Sequence, residues 1–200
     1  MSRRSGRTEP SAPRHDDPLT ELALRASGGD RRSLEQFVTL TMDDVHRYCS
    51  HLVGPARADD AAQATYLRAI RSLDGFRAES VAKAWLIGVA RNTCLDLVRA
   101  DARRARLRER LDQVAAVEAR ALPTSGGHGA VELDDLVLAL APTHREAFVL
   151  TQMLGFSYAE AASVLDCPVG TVRSRVSRAR EALIVSVEVR EGGRTDRVGR

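Results

Sequence analysis

The sequence is poor in the features that build sheets and membrane spans. Aromatic residues make up only 4% of its 200 positions, and Val and Thr do not cluster in alternating runs, so no strand pattern is present. No segment approaches the roughly 18 apolar residues of a membrane span, and the N-terminus lacks the apolar core of a secretory signal. We therefore expect a soluble, cytoplasmic protein without membrane insertion.

Cysteine is also scarce. The three cysteines, Cys49, Cys94 and Cys167, are far apart in the sequence and form no C-x-x-C motif. This spacing argues against a disulfide framework and against a zinc module. We expect small thiols that are buried or lie in a turn, with no metal and no cofactor.

Lysine is almost absent from the basic residues. Of the 30 Lys and Arg residues only Lys83 is lysine, which reflects either GC-rich coding or selection for the planar arginine fork. The net charge of +3 is too weak to indicate nucleic-acid binding by itself. The distribution of the positive charge is more informative than its total, because arginines concentrate in segments 99–110 and 173–180.

The residues that are present predict an all-α protein of two small helical domains joined by a flexible linker. Hydrophobic residues make up 44% of the chain, with Ala and Leu abundant. The sequence PTSGGHG at 123–129 is typical of a flexible linker. The predicted segments are a disordered tail at 1–18, a first domain at 19–110, a linker at 111–130, a second domain at 131–187 and a disordered tail at 188–200.

A helix-turn-helix is predicted within the second domain, from Phe156 to Leu183. Ser157 and Glu160 match a capping box at the start of a short Ala-rich helix. Asp166 and Cys167 form the predicted turn, and the next helix follows at Pro168. Upstream, Thr143 and Glu146 match a second capping box.

The second helix of this motif has two contrasting faces. An apolar stripe repeats at helical spacing, and Arg and Ser side chains point the other way. An Arg and Ser face suits the major groove and its flanking phosphates. The alternative is a solvated basic helix in an ordinary bundle. The stripe is Val172, Val176, Ala179 and Leu183, and the polar face is Arg173, Ser174, Ser177 and Arg178.

The first domain contains two further informative stretches. Within 57–73, an Ala-rich apolar face lies opposite Asp59, Asp60 and Gln63, and Arg68 follows further along the same helix. This pattern indicates either a docking surface for a partner or a solvated amphipathic helix. Within 76–99, Trp85 is expected to anchor the core, with Val89, Leu95 and Val98 also inward. Phe76 is either core or a platform for an unpaired base. Polar side chains on the outer face of that helix are Lys83, Arg91, Asn92, Asp96 and Arg99.

Together these blocks resemble an extracytoplasmic-function (ECF) sigma factor of bacterial RNA polymerase. ADDAAQATYLRAI at 58–70 is similar to the family's ED-x-x-Q-E-T-F-L-R-A, and FRAESVAKAWLIGVARN at 76–92 is similar to its FRGES-x-x-TWL-x-x-IARN. The segment from Pro142 through the helix-turn-helix resembles the family's fourth region, most closely that of the actinobacterial sigma-C-type group. Three matching blocks in the family's order, on both sides of a linker, point specifically to this family, whereas a helix-turn-helix alone is found in many regulators.

The resemblance implies a specificity subunit rather than an enzyme, with the β and β′ subunits of core polymerase and promoter DNA as partners. It leaves open whether an anti-sigma factor also binds. It implies that Asp59, Asp60, Gln63 and Arg68 dock on the core. It assigns the −10 element to Phe76, Arg77, Ser80, Lys83, Asn92, Asp96 and Arg99. It assigns −35 reading to Arg173, Ser174, Ser177 and Arg178, with Arg175 and Arg180 reaching phosphates.

The sequence departs from the family pattern at several of these positions. Ala64 stands where Glu is usual, so docking would depend more on Asp60 and Gln63. Ala84 and Gly88 replace the common Thr and Arg, which weakens a direct transfer of the −10 assignment.

Two other function classes remain as alternatives. A stand-alone helix-turn-helix regulator would bind duplex DNA without polymerase, but the first domain has no ligand-pocket or phospho-acceptor signature. An enzyme could use acidic residues around a metal, but no His-x-x-x-His or comparable motif accompanies them. The acids in question are Asp43, Asp44, Asp59 and Asp60.

Overall fold

The computed structural model describes residues 17–112 and 133–195, and all regular secondary structure in those two ranges is helical. The prediction of an all-α fold is therefore confirmed. The predicted linker at 111–130 falls almost entirely outside the described residues, as does most of the predicted N-terminal tail. The helices are α1 Pro18–Ser27, α2 Arg31–Val53, α3 Ala58–Ser72, α4 Ala82–Asp112, α5 Leu133–Ala139, α6 Pro142–Phe148, α7 Tyr158–Leu165 and α8 Val169–Thr195.

Helices α1 to α4 pack together as a first helical unit. The Asp17 carboxylate caps α1 by accepting the backbone N–H of Thr20, and Asp30 caps α2 in the same way. The Thr20 hydroxyl accepts a hydrogen bond of 2.9 Å from the backbone N–H of Ala82, which joins the start of α4 to α1. The chain breaks at 28–30 between α1 and α2, and α2 then runs without interruption to Val53.

The core of this unit lies between α2, α3 and α4. The predicted Ala-rich face of α3 is buried, as expected. On α4 the fully buried side chains include Leu86, Ile87 and Cys94, whereas Val98 is 46% exposed, so the prediction that Val98 faces inward is wrong. Beyond Cys94 this side of α4 turns toward solvent, since Asp96, Val98 and Arg99 are all exposed.

Helices α5 to α8 form a second helical unit around the apolar stripe of α8. Val172, Val176 and Ala179 are at most 1% exposed, as the spacing predicts. Between α6 and α7 the chain makes a π-helical turn, Val149–Met153, and Gly155 follows with φ 74°, a value that glycine adopts without strain. Helix α8 continues to Thr195, past residue 188 where the sequence predicts a tail.

The two predicted capping boxes have different outcomes. Ser157 and Glu160 form the reciprocal box at the start of α7, as predicted. The second prediction is wrong, because Ala141 precedes α6 and the Glu146 carboxylate points away from the helix start toward Tyr48 and Arg91 of the first unit. Hydrogen bonds of Glu146 to the first unit therefore replace the capping box predicted with Thr143.

Replacing Ser157 by alanine is expected to lower the free energy of unfolding by about 1 kcal/mol, because the Ser157 hydroxyl accepts the backbone N–H of Glu160 and donates to the Glu160 carboxylate. Thermal unfolding followed by circular dichroism measures the loss. Ser163→Ala is the matched control, since Ser163 is an exposed residue inside the same helix where alanine is favourable. Equal melting temperatures for the two variants would contradict the capping role.

Candidate nucleic-acid interface

The polar face of α8 is accessible along its length. Arg173, Ser174, Ser177 and Arg178 are all exposed, opposite the buried stripe. The Arg173 guanidinium lies 5.9 Å from the ring centroid of Tyr158, a cation–π contact that directs the side chain across the start of α7. The predicted orientation of this face is confirmed.

The turn between α7 and α8 is tight and strained at one residue. Asp166 adopts φ 50° and ψ 54°, the left-handed region that a non-glycine residue enters at a cost. The Cys167 backbone N–H then donates to the carbonyl of Ala162 at 3.1 Å, which closes the end of α7. This geometry sets the crossing of α7 and α8, and thereby the direction in which the polar face of α8 points.

Two other arginines of α8 interact within their own unit. Arg175 is half-buried with Nη1 3.8 Å from the Cys167 sulfur, and Arg180 donates to the side chain of Gln152 at 2.6 Å. Arg180 is exposed and lies beside the stripe. Arg175 is the less accessible of the two.

The residues assigned to the −10 element do not form one surface. Arg77, Asn92, Asp96 and Arg99 are exposed. Phe76 is only 5% exposed, and its ring packs against Trp85 with centroids 5.1 Å apart. This burial favours the interpretation of Phe76 as core in the present conformation. The seventh residue, Ser80, is partly buried, and Lys83 contacts the second helical unit.

The surface assigned to polymerase docking lies on α3. Asp59, Asp60, Gln63 and Arg68 are exposed, as the spacing predicts. Two of them have partners: Asp59 lies 3.1 Å from Nε2 of His46, and Arg68 Nη1 donates to Asp96 at 2.8 Å. The Arg68–Asp96 pair links this surface of α3 to α4.

The same surface contains two apolar residues that the sequence analysis missed. Leu67 is 53% exposed and Ile70 is 44% exposed, directly beside Gln63 and Arg68 along α3. The signal in the sequence was their apolar character at helix positions off the buried face.

The described residues offer neither a metal site nor a membrane span. Among the described side chains, those of 17–107 and 133–187, no three His, Cys, Asp or Glu residues come together as ligands. Asp44 instead pairs with Lys83 at 2.7 Å, and Asp59 pairs with His46. Within the same ranges, no helix combines the length and the apolar character needed to cross a bilayer.

Comparison with known proteins matches each helical unit to a domain. Residues 37–104 match the Sigma-70 region 2 family and residues 130–183 match the Sigma-70 region 4 family. The chain is 42% identical over 176 residues to the ECF RNA polymerase sigma factor SigC of Mycobacterium tuberculosis, with 86% of this chain and 93% of that protein aligned. The chain belongs to the ECF family of RNA polymerase sigma factors.

More distant members of the family match over a similar length. The ECF RNA polymerase sigma-E factor of Escherichia coli K12 is 32% identical over 183 residues, covering 84% of this chain and 94% of that protein. The solved complex of CnrH with the cytosolic domain of CnrY contains a chain with a TM-score of 0.64 and 26% identity, covering 86% of this chain and 99% of that one. The solved complex of the sigma factor RpoE with the anti-sigma factor NepR from Bartonella quintana contains a chain with a TM-score of 0.62 and 29% identity. The match covers 79% of this chain and 98% of that one.

Region 2 and region 4 of this sigma factor contact each other through a buried carboxylate. Glu146 of α6 is only 9% exposed. Its Oε1 accepts the Tyr48 hydroxyl at 2.9 Å and the Arg91 Nε at 2.7 Å. The pKa of Tyr48 is raised, first by burial and then by the neighbouring Glu146 charge, so the phenol keeps its proton and remains a donor. One region 4 carboxylate therefore joins α2 and α4 of region 2.

Lys83 provides a second contact between the regions. Its ammonium donates to the Leu154 carbonyl at 2.9 Å, pairs with Asp44 at 2.7 Å and lies 5.4 Å from the ring centroid of Phe156. These contacts account for the half-buried state of the only lysine. Lys83, a predicted −10 residue, is therefore engaged by region 4 in this arrangement.

A third contact involves His51 at the end of α2. The ring is buried, and burial lowers the pKa of His51, so it is neutral at pH 7, with Nε2 3.5 Å from Asp134. The backbone carbonyl of His51 accepts a 3.0 Å hydrogen bond from Arg145. Together the three contacts define a closed arrangement, in which region 4 covers part of the region 2 surface formed by α2 and α4.

Proposed function

We propose that this sigma factor docks on core polymerase through α3, holds the −10 element with α4, and reads the −35 element with α8. As a member of its family it is a specificity subunit that directs promoter-specific initiation, and it is not itself an enzyme. The observation that carries the residue assignment is the exposed Arg and Ser face of α8 opposite a buried stripe. A helix with this face, preceded by a tight turn, fits the major groove.

The −35 assignment follows from the chemistry of that face. Arg173 and Arg178 can donate in pairs to guanine, and Ser174 and Ser177 can donate to or accept from bases or phosphates. Phosphate contacts from these arginines would make promoter affinity fall steeply with salt. Arg180 is placed at the edge of the face, where a phosphate contact would replace its bond to Gln152.

The −10 assignment requires region 4 to move. Arg77, Asn92 and Arg99 are exposed, and amide and guanidinium groups suit unpaired bases and phosphates. Lys83 is held by Leu154 and Asp44 in the closed arrangement. The form that holds the −10 strand is therefore one in which region 4 has left α4, and its binding to core polymerase and to a −35 element provides the free energy for the separation.

The docking assignment is supported by charge and by apolar exposure on one helix. Asp59, Asp60 and Gln63 present acceptors beside the exposed Leu67 and Ile70. A mixed surface with an apolar centre and a polar rim is typical of protein interfaces.

Replacing Asp60 and Gln63 by alanine is expected to weaken core polymerase binding about tenfold, or about 1.4 kcal/mol, because both side chains are exposed acceptors at the proposed interface. Titration of a labelled sigma factor with core polymerase measures the change. Glu35→Ala with Gln36→Ala is the matched control, an exposed acid and amide on a different helix, α2. Equal affinities for both double variants would exclude the docking surface.

Further partners and location follow from the relatives. Two structural relatives were solved as complexes, one with the cytosolic domain of CnrY and one with the anti-sigma factor NepR. By that similarity an anti-sigma factor is a further candidate partner. Because a sigma factor acts together with polymerase, the cytoplasm is the proposed location of the protein.

Reconstituted transcription tests the proposal. The protein is mixed with core polymerase that lacks any sigma factor, a library of DNA fragments is added, and the transcripts are sequenced. Initiation at sites that share spaced −35 and −10 elements is expected. Tight binding to naked duplex without initiation would favour a stand-alone regulator instead.

A further inference from the structure

Two cysteines meet inside region 2. Cys49 on α2 and Cys94 on α4 are separated by 45 residues in sequence, and their sulfur atoms lie 3.6 Å apart. Both side chains are fully buried. A disulfide bond is about 2.05 Å long, so both thiols are reduced and about 1.5 Å of approach separates them from a bond.

The two thiols differ in acidity. The hydrogen bond that the Cys94 thiol donates is the largest influence on Cys49 and lowers its pKa, with Thr65 adding to the effect and burial opposing it. The pKa of Cys94 is raised by the same hydrogen bond and by burial. Cys49 is therefore the sulfur that ionises first, and the thiolate is the nucleophilic form of cysteine.

We infer that Cys49 and Cys94 form a reactive dithiol that a small peroxide oxidises to an intramolecular disulfide within region 2. The third cysteine, Cys167, lies outside this pair, in the turn of the helix-turn-helix. The inference concerns a chemical modification site and does not depend on the roles proposed for the DNA-contacting residues.

The reaction balances with hydrogen peroxide as the only co-reactant. The Cys49 thiolate attacks one peroxide oxygen, an S–O bond forms, the O–O bond breaks, and the departing hydroxide takes up a proton to give water. The Cys94 sulfur then attacks the Cys49 sulfur, an S–S bond forms, and the S–O bond breaks. A second water leaves with the Cys94 proton. Two thiols lose two electrons, and one peroxide gains them.

The position of the pair indicates how a peroxide reaches it. Tyr48 precedes Cys49 on α2, and Arg91 lies one turn before Cys94 on α4. Both Tyr48 and Arg91 hold Glu146 of region 4, whose charge also contributes to the raised pKa of Cys94. The thiols therefore lie beneath the contact between the regions. Departure of region 4 uncovers that side of the α2–α4 pair, and oxidation proceeds from there.

Peroxide treatment of the full chain carrying Cys167→Ser tests the site, because only the pair then remains. Intact mass spectrometry is expected to show the loss of two hydrogen atoms, and peptide mapping to join Cys49 to Cys94. The crosslink closes a long loop, so the melting temperature is expected to rise by several degrees and to return after reduction by dithiothreitol. Added oxygen atoms, a crosslinked dimer, or an unchanged mass would overturn the inference.

Single replacements supply the controls. Cys49→Ala and Cys94→Ala, each combined with Cys167→Ser, keep a small apolar group in the core and are expected to fold. After peroxide treatment, both variants are expected to keep their full number of hydrogen atoms and an unchanged melting temperature. A loss of two hydrogen atoms in either would overturn the pairing. Glu146→Gln, again with Cys167→Ser, tests the route: faster disulfide formation is expected, and a rate equal to that of the parent would contradict entry at the region 2–region 4 contact.

Discussion

Replacing Glu146 by glutamine is expected to open the closed arrangement of region 2 and region 4. Glutamine has nearly the same shape, so α6 and its packing are retained, but the negative charge that holds Arg91 and Tyr48 is lost. A hydrogen bond to a charged group contributes about 1.5–3 kcal/mol. The ratio of closed to open molecules should therefore fall roughly ten- to hundredfold.

Small-angle X-ray scattering of the full chain measures this opening as an increase in the radius of gyration. Asp135→Asn is the matched control, since Asp135 is an exposed acid on α5 of the same region. Circular dichroism should show equal helix content in the wild type and both variants. An unchanged radius of gyration at full helicity would mean that Glu146 does not hold the regions together.

The helices and their faces could be predicted from sequence because they depend on local spacing. The stripe at Val172, Val176 and Ala179 repeats with the period of a helix, and the capping box at Ser157 and Glu160 involves residues only three positions apart. The same local reasoning failed for Thr143 and Glu146. That motif has the spacing of a capping box. The Glu146 carboxylate instead accepts hydrogen bonds from Tyr48 and Arg91 of region 2, and these two bonds replace the single exposed bond that it would make at the start of α6.

The interactions that sequence could not predict join residues far apart in the chain. Lys83 fits an exposed position on α4 by spacing, yet its partners Leu154 and Phe156 belong to region 4. Cys49 and Cys94 carry no motif, and only the packing of α2 on α4 brings their sulfur atoms together. Spacing locates a residue on a helix face, but the crossing of the helices decides which partner it contacts.

Replacing Arg173 by alanine is expected to reduce transcription from a cognate promoter about five- to hundredfold, because one bidentate contact to a base contributes about 1–3 kcal/mol. Core polymerase binding should be unchanged, since Arg173 lies on the exposed face of α8 and the proposed docking surface is on α3. Abortive transcription and core titration, done side by side, measure both quantities. Output equal to that of the wild type would remove Arg173 from the −35 assignment.

Arg173→Lys separates base reading from simple charge. Lysine keeps the positive charge but lacks the planar fork that donates two parallel hydrogen bonds to guanine. If Arg173 reads a base, the lysine variant should lose most of the promoter output and should no longer discriminate against a changed base pair in the −35 element. If it contacts only a phosphate, lysine should restore the output, while alanine alone should reduce the salt dependence of binding by about one phosphate. Arg31→Ala, an exposed arginine at the start of α2, is the control for loss of one positive charge.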